Sequence, residues 1–383
     1  MRKIRRINVV HIITGLSTGG AEMMLYKLLK NMDKEQFQPI VISLTNKGSL
    51  GEKIEGLGIK VWCCNLDRGF NATYRFSKLI SLLYKFKPDI IQGWMYHGNL
   101  ISQLLKPFFP KTKIVWNIRG SHYDLKQEKK TTAAIIYLCA KMSIFPSKII
   151  NNSSLSAIKH EELLGYKKSK RIIIPNGFDT DMYKPSCITK EILKNEYNLS
   201  TDTITIAIIG RYHPVKGHDV FIKAVKQVIE IKRECKFKFI FIGRDVDSKN
   251  KVLVKMIKAA NIEKYCLLLG ERNDIQELLK EINVIVSASH SEGFSNVIGE
   301  AMSCGIPCIA TDVGDSKWII SETGFIVPPN DPQSLAEGLL KILDLPLDER
   351  QKLGIKARER IVQNFSIEIV VKKYETLYRA LIK

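Results

Sequence analysis

The chain offers little sulfur chemistry. Its eight cysteines (Cys63, Cys64, Cys139, Cys187, Cys235, Cys266, Cys304 and Cys308) form no C-x-x-C pair and no zinc-ligand spacing, and most lie in apolar stretches. This excludes a disulfide-stapled domain or a zinc module and fits small buried thiols in a reducing cytoplasm. Long apolar runs are also missing. The opening MRKIRRINVVHIITG has a basic start, but its apolar run covers only Ile7 to Ile13 and is broken by Asn8 and His11. With no small-residue cleavage site after it, the segment reads as a first strand rather than a leader. TTAAIIYLCAKMSIF, from Thr131, is broken by Lys141 and falls short of the ~20 residues that a membrane span needs. The basic stretches lack stacking aromatics, and no helix-turn-helix or zinc signature occurs, which argues against a nucleic-acid partner.

What the chain has in excess is positive charge. Its 383 residues carry 59 Lys+Arg against 39 Asp+Glu, a net of +20. Residues 1–176 hold 29 basic and 11 acidic side chains, a net of +18, and residues 177–383 hold 30 and 28, a net of +2. A compositional bias spread over the whole chain would not divide in this way, so the first half is expected to meet an anionic surface or partner. The length suits two domains rather than one.

Short β-branched runs alternate with segments of helical period. Strands are expected at 7–13, 39–44, 59–62, 89–93, 113–118, 148–152 and 171–175. In the TYRFSKLISLLYKF segment between the third and fourth, Phe76, Leu79, Ile80, Leu83 and Phe86 share one helical face. After IIIPNGFDTDMYKP the alternation restarts, with strands expected at 203–210, 237–243, 266–270, 283–289, 306–311 and 324–328. Strands that alternate with helices imply parallel sheets covered on both faces. The fold class expected is α/β, two doubly wound Rossmann-like domains facing a central cleft. The boundaries are 1–176, 177–365 and a final helix over 366–383 that crosses back to the first domain, with the hinge near Pro175–Pro185.

Three stretches carry chemistry. HSEGFSNVIGEAMSCGIPCIATDVGD begins at His290, just after an apolar strand, and reads as a helix from about Ser295 to Cys304. Glu292 precedes this helix, Glu300 lies inside it, and the N–H groups of Phe294, Ser295 and Asn296 at its start suit a phosphate. By themselves the residues fit two solvated glutamates beside a capped helix equally well. GRYHPVKGHDVFIKA sets Arg211 and Lys216 in the loop after another strand, where two cations can neutralise a diphosphate. TGLSTGGAEMM places Gly19 and Gly20 at the start of a helix, where backbone can approach a ligand closely. Its spacing is not G-x-G-x-x-G, and no acid ends the second strand, which argues against a nicotinamide or flavin site.

Together these stretches resemble the family 4 retaining glycosyltransferases of GT-B fold. The most specific piece is E-x7-E, Glu292 to Glu300, supported by GR-x4-KG (Gly210, Arg211, Lys216, Gly217) and IPNGFD from Ile174 to Asp179. The resemblance implies a sugar moved with retention from a nucleotide-diphosphate sugar, preferably a UDP-sugar, to a glycan or lipid-linked acceptor in surface polysaccharide or lipopolysaccharide assembly. Glu300 would bind the donor ribose and Glu292 the sugar hydroxyls near the reacting carbon. Arg211 and Lys216 would stabilise the departing diphosphate, with the main chain at Gly293–Ser295 beside it and Gly19–Gly20 closing over it. The base would rest near GERND, against the backbone around Arg272. No cofactor or metal is implied, and Asp245-Val246-Asp247 reads as loop variation. The first domain would bind acceptor and the second the nucleotide sugar.

Relatives carry a histidine after the strand equivalent to KIVWNI; here Arg119 and His122 are alternatives for its contact with the donor sugar, and His97 also faces the cleft by position. In DVGDSKWII, Asp315 and Ser316 replace the residues many relatives carry. The basic half, including KPFFPKTK with Phe108 and Phe109, would hold the enzyme at the cytoplasmic face of an anionic membrane. A nucleotide-sugar 2-epimerase or a non-catalytic nucleotide-sugar binder of the same fold is the alternative.

Overall fold

The computed structural model describes residues 5–65, 72–120, 125, 128–185, 191–200 and 202–383. The chain divides into two compact units, Met1–Gly177 with Ile367–Lys383, and Phe178–Ser366. The charge follows this division: the first unit holds 33 Lys+Arg against 13 Asp+Glu, and the second 26 against 26. The whole excess therefore belongs to one unit.

The first unit is built on β1 (Ile7–Ile13), β2 (Phe37–Ser43), β3 (Val61–Cys63), β4 (Ile90–Trp94), β5 (Lys113–Ile118), β6 (Lys148–Asn151) and β7 (Arg171–Ile173). They pair in parallel in the order β3-β2-β1-β4-β5-β6-β7. Helices cover both faces, so β1 can be apolar on both. Val9 and Ile13 face one core, and Val10 and Ile12 the other. The Ala72–Phe86 helix sets Leu79 and Leu83 into the second core, with Phe76, Ile80 and Phe86 at its margin. KPFFPKTK divides its two aromatics. Phe109 is buried at 4.9 Å from the Tyr84 ring, whereas Phe108 is 43% exposed and edge-on to Phe76.

The Ile367–Ile382 helix completes the first core with Val370, Tyr374, Leu377 and Tyr378. Buried polar contacts fix its register. The Tyr374 hydroxyl accepts from Asn117 Nδ2 (2.9 Å) and from Arg119 (2.8 Å), and the Tyr378 hydroxyl donates to Gln92 Oε1 (2.5 Å). Glu375 accepts from the Asp33 N–H at 2.9 Å. Beneath the helix, Trp94 stacks on Tyr374 and donates its indole N–H to His11 Nδ1 at 3.1 Å.

The second unit pairs β8 (Ile204–Ile209), β9 (Phe237–Ile242), β10 (Cys266–Gly270), β11 (Val284–Ser287), β12 (Cys308–Thr311) and β13 (Phe325–Val327) in the order β10-β9-β8-β11-β12-β13, again all parallel. Phe178 anchors the start of this unit. A Cβ on Gly299 would lie 2.0 Å from its ring, so glycine there makes the notch that Phe178 fills beside Phe294. Among the described residues no helix is long and apolar enough to cross a membrane.

Burial lowers the His11 pKa from 6.5 to about 3, so folded His11 stays neutral in mild acid while the unfolded chain takes up a proton. Stability is therefore full above about pH 6.5 and falls by about 1.4 kcal/mol per pH unit from this group as pH drops towards its folded value. Urea unfolding across this range should show the acid slope reduced by about one proton in His11→Gln, which keeps an acceptor for Trp94. Tyr374→Phe, which leaves Asn117 and Arg119 without that oxygen, should lower unfolding free energy by about 1–3 kcal/mol in the same assay.

Candidate active site

Open parallel sheets bind ligands at the carboxyl ends of strands where the strand order reverses. In the second unit that point lies between β8 and β11, and the loops leaving these two strands carry Arg211, Lys216 and Glu292. The two loops interlock. Gly217 has φ +65°, and a Cβ there would come 1.9 Å from the Ala288 carbonyl oxygen, so only glycine lets the loop after β8 rest on the end of β11. The His290 N–H then donates to the Val215 carbonyl at 2.8 Å. This contact brings Lys216 Nζ to 2.5 Å from Glu292 Oε1, which also accepts from Ser289 Oγ at 2.8 Å. Arg211 is exposed and has no ion-pair partner among the described residues. Gly210 lies beneath the aliphatic part of Lys216.

The loop after β12 supports the same point from below. Gly314, at φ +55°, has no room for a Cβ against the Glu292 and Gly293 carbonyls, and the Asp315 N–H donates to the Gly293 carbonyl at 3.1 Å. The substituted DVGDS segment thus shapes the main chain at Gly293. The Asn296–Ser303 helix follows, with Ser295 at its N-cap and no side-chain cap bond from that residue. Phe294 turns its ring into the core against Phe178, Phe365 and Trp318, so its main chain alone is left for a ligand. Glu300 is half-buried on that helix. Burial first, and the Glu300 charge second, push the Tyr183 hydroxyl above its ordinary range.

Arg272 is differently committed. Its guanidinium donates to Asp274 (2.9 and 2.7 Å) and Glu196 (3.0 and 3.3 Å), and these bonds raise its pKa, so any ligand contact there falls to the loop backbone. Asp247 caps its own turn through the Lys249 N–H at 2.9 Å, and Val246 between the two aspartates is buried.

In the first unit the order reverses between β1 and β4. Gly19 and Gly20 open the Gly20–Asn31 helix after β1, and a Cβ on Gly19 would lie 2.4 Å from Glu22 Oε2. The Glu22 carboxylate folds back onto this turn, with its pKa raised by burial. An anion approaching these glycines would have to displace it. His97 is half-buried on the Met95–Leu104 helix after β4, its pKa lowered by burial. Arg119 is tied into the unit's interior. It bonds Asn117, Tyr374 and the Asn176 side chain and lies over the Trp94 ring at 5.5 Å. His122 lies outside the described residues.

Residues 18–182 match the model described as Glycosyltransferase Family 4, and residues 189–360 match the one described as Glycosyl transferases group 1. This chain is a glycosyltransferase of the GT-B fold. It is 25% identical to the UDP-Gal:alpha-D-GlcNAc-diphosphoundecaprenol alpha-1,3-galactosyltransferase of Escherichia coli, over 98% of this chain and 96% of the relative. It is 26% identical to the capsular polysaccharide biosynthesis glycosyltransferase CapM of Staphylococcus aureus, over 80% of each. In fold it is similar to Anabaena Alr3699/HepE, solved with UDP and glucose, at a TM-score of 0.82 and 19% identity, covering 98% of this chain and 100% of that one.

Sequence reasoning about this glycosyltransferase missed Ser289, which holds Glu292, and Glu22, which occupies the Gly19 turn. The Ser289-x-x-Glu292 spacing was a readable signal for the first. Gly217→Ala, which combines a left-handed backbone with a 1.9 Å clash, should cost about 3 kcal/mol or more and separate the two loops. Its urea midpoint should fall well below that of Gly58→Ala, another positive-φ glycine with open space around it.

Proposed function

We propose that this enzyme is a retaining hexosyltransferase. In this reading it takes its sugar from a UDP-sugar and adds it to a lipid-linked glycan at the cytoplasmic face of an anionic membrane, in the assembly of a surface polysaccharide. The observation that supports this best is the Lys216–Glu292 pair at the β8–β11 reversal, with Arg211 exposed on the same loop as Lys216. In the reaction the acceptor's hydroxyl oxygen replaces the diphosphate oxygen on the anomeric carbon, negative charge grows on the departing phosphate, and the hydroxyl proton passes to that phosphate as the bond forms. Arg211 and Lys216 take up that charge, an electrostatic contribution of about 3 kcal/mol for each well-aimed donor. Lys216 then turns from Glu292 to phosphate, and Glu292 is released to the sugar hydroxyls. The N–H groups from Gly293 to Asn296 meet the phosphates, Glu300 the ribose, and the backbone at Arg272 the base. With Arg119 committed elsewhere, His122 or His97 is left for the donor sugar.

The choice of uridine and of a polyprenyl-diphosphate acceptor is supported by the Escherichia coli relative, whose name carries both, and by the UDP and glucose bound in the Anabaena neighbour. The first unit's +20 supports an anionic surface as the place of work.

Thermal unfolding with UDP, GDP, ADP and NAD tests the donor assignment. A ligand at 100 times its Kd adds about 2.7 kcal/mol. UDP should raise the Tm of the parent and leave Arg211→Ala and Glu300→Ala unmoved. Silence from all three nucleoside diphosphates, or a shift with NAD alone, would overturn the reading.

A further inference from the structure

A cavity of about 890 Å³ lies wholly within the first unit, between the Ala72–Phe86 helix and the outer strands β2 and β3. It exists because β3 is only three residues long and pairs with β2 at Val41–Ser43 alone, so the first half of β2 has no neighbour on its outer side. The Val41 N–H donates towards β3, to the Lys60 carbonyl, and two residues earlier the same side belongs to Pro39, which has no N–H. Pro39 therefore weakens this edge as a template for a peptide strand and favours an occupant held by side chains.

Those side chains sort by type. The floor is apolar: Ile40 from the sheet and Leu79, Leu82 and Phe86 from the helix, with Trp62 beside them at 47% exposure. Around it stand six cations, Arg6, Lys34, Lys60, Arg75, Lys78 and Lys85, and among the described residues no carboxylate lines the cavity. None of the six has a carboxylate partner among the described residues. Arg6, Lys34 and Arg75 donate to the carbonyls of Lys34, Leu57 and Cys64. Arg6, Lys34 and Lys60 stand just before β1, β2 and β3, at the end of the sheet opposite the β1–β4 reversal where Gly19 and His97 lie. The donor and acceptor chemistry argued above makes no use of them.

We propose that this groove binds one molecule of an anionic membrane lipid, with its hydrocarbon chain along Ile40, Leu79, Leu82, Phe86 and Trp62 and its phosphate among the lysines. Cations without carboxylate partners around an apolar floor complement an amphiphile that joins a negative headgroup to an apolar chain. A soluble polyanion would leave the floor uncovered, and a neutral lipid would leave the cations unpaired. The proposal builds on the membrane reading above but rests on its own residues, so the two can fail separately.

The test uses the full chain with vesicles of phosphatidylcholine, with and without phosphatidylglycerol carrying brominated acyl chains. The parent should bind the anionic vesicles, and its tryptophan emission should be quenched. Trp94 and Trp116 are fully buried and Trp318 belongs to the other unit, so Trp62→Phe should remove most of the quenching while vesicle binding persists. At about fivefold per cation, Lys60→Glu with Lys78→Glu and Lys85→Glu should weaken binding at least about a hundredfold. The matched triple Lys167→Glu, Lys168→Glu and Lys170→Glu should weaken it far less. Equal losses from both triples, quenching that survives Trp62→Phe, or heparin binding as tight as lipid and lost in the groove triple would overturn the proposal. UDP stabilisation of each variant reports folding and the donor site. If the parent itself does not respond to UDP, the donor reading fails whatever the groove binds.

Discussion

The close approach of Gly217 to the carbonyl of Ala288 is the contact on which the geometry of the second unit's candidate site depends. Two strands adjacent in space but far apart in sequence leave their sheet side by side, and their loops must pass within backbone contact before Lys216 and Glu292 can meet. A side chain at position 217 would hold the loops apart. The hydrogen bond from His290 to Val215 and the Gly314 turn beneath Glu292 extend the same packing, so three strand ends share one rigid corner. Such a corner fixes the backbone positions from which Lys216 and Glu292 project, so that only their side chains would have to change partner when a ligand binds.

The first unit is organised by a buried polar network instead. His11, Gln92, Trp94, Asn117 and Arg119 project from neighbouring strands or the turn after them; Trp94 bonds His11, and the tyrosines of the last helix bond Gln92, Asn117 and Arg119. Buried groups of this kind are costly when unpaired, so the network selects one register for the helix where apolar packing alone would tolerate several. The same network engages both terminal nitrogens of Arg119. Its neighbours Tyr374 and Asn176 come from the chain's two crossings at the edge of the unit, and the guanidinium ties both to β5.

Charge is divided as sharply as structure. A neutral unit carries the candidate donor residues, and a unit of net +20 carries the groove whose cations have no carboxylate partner among the described residues. Long-range attraction to an anionic surface would therefore act on one unit and leave the other's local charges to their own partners.

The sequence by itself determined the architecture. Period-2 and period-3.6 patterns alternate in two series, and continuous apolar strands are buried on both faces only in parallel sheets, so the strand positions followed with shifts of a residue or two. It also offered Glu292, Glu300, Arg211 and Lys216 as candidates, through the resemblance of E-x7-E and GR-x4-KG to a family's motifs more than through local spacing alone. Partnerships across sequence were decided only by tertiary structure. Nothing near Arg119 announces Tyr374, 255 residues away. Nothing near Arg272 announces Glu196, and KPFFPKTK does not say which phenylalanine turns inward. Nor could the pattern of β3 reveal that its shortness leaves an open groove, since an absent neighbour has no residue to mark it. Local sequence fixes backbone preference through a few adjacent side chains, whereas the fate of each charge depends on which distant groups the fold delivers to it.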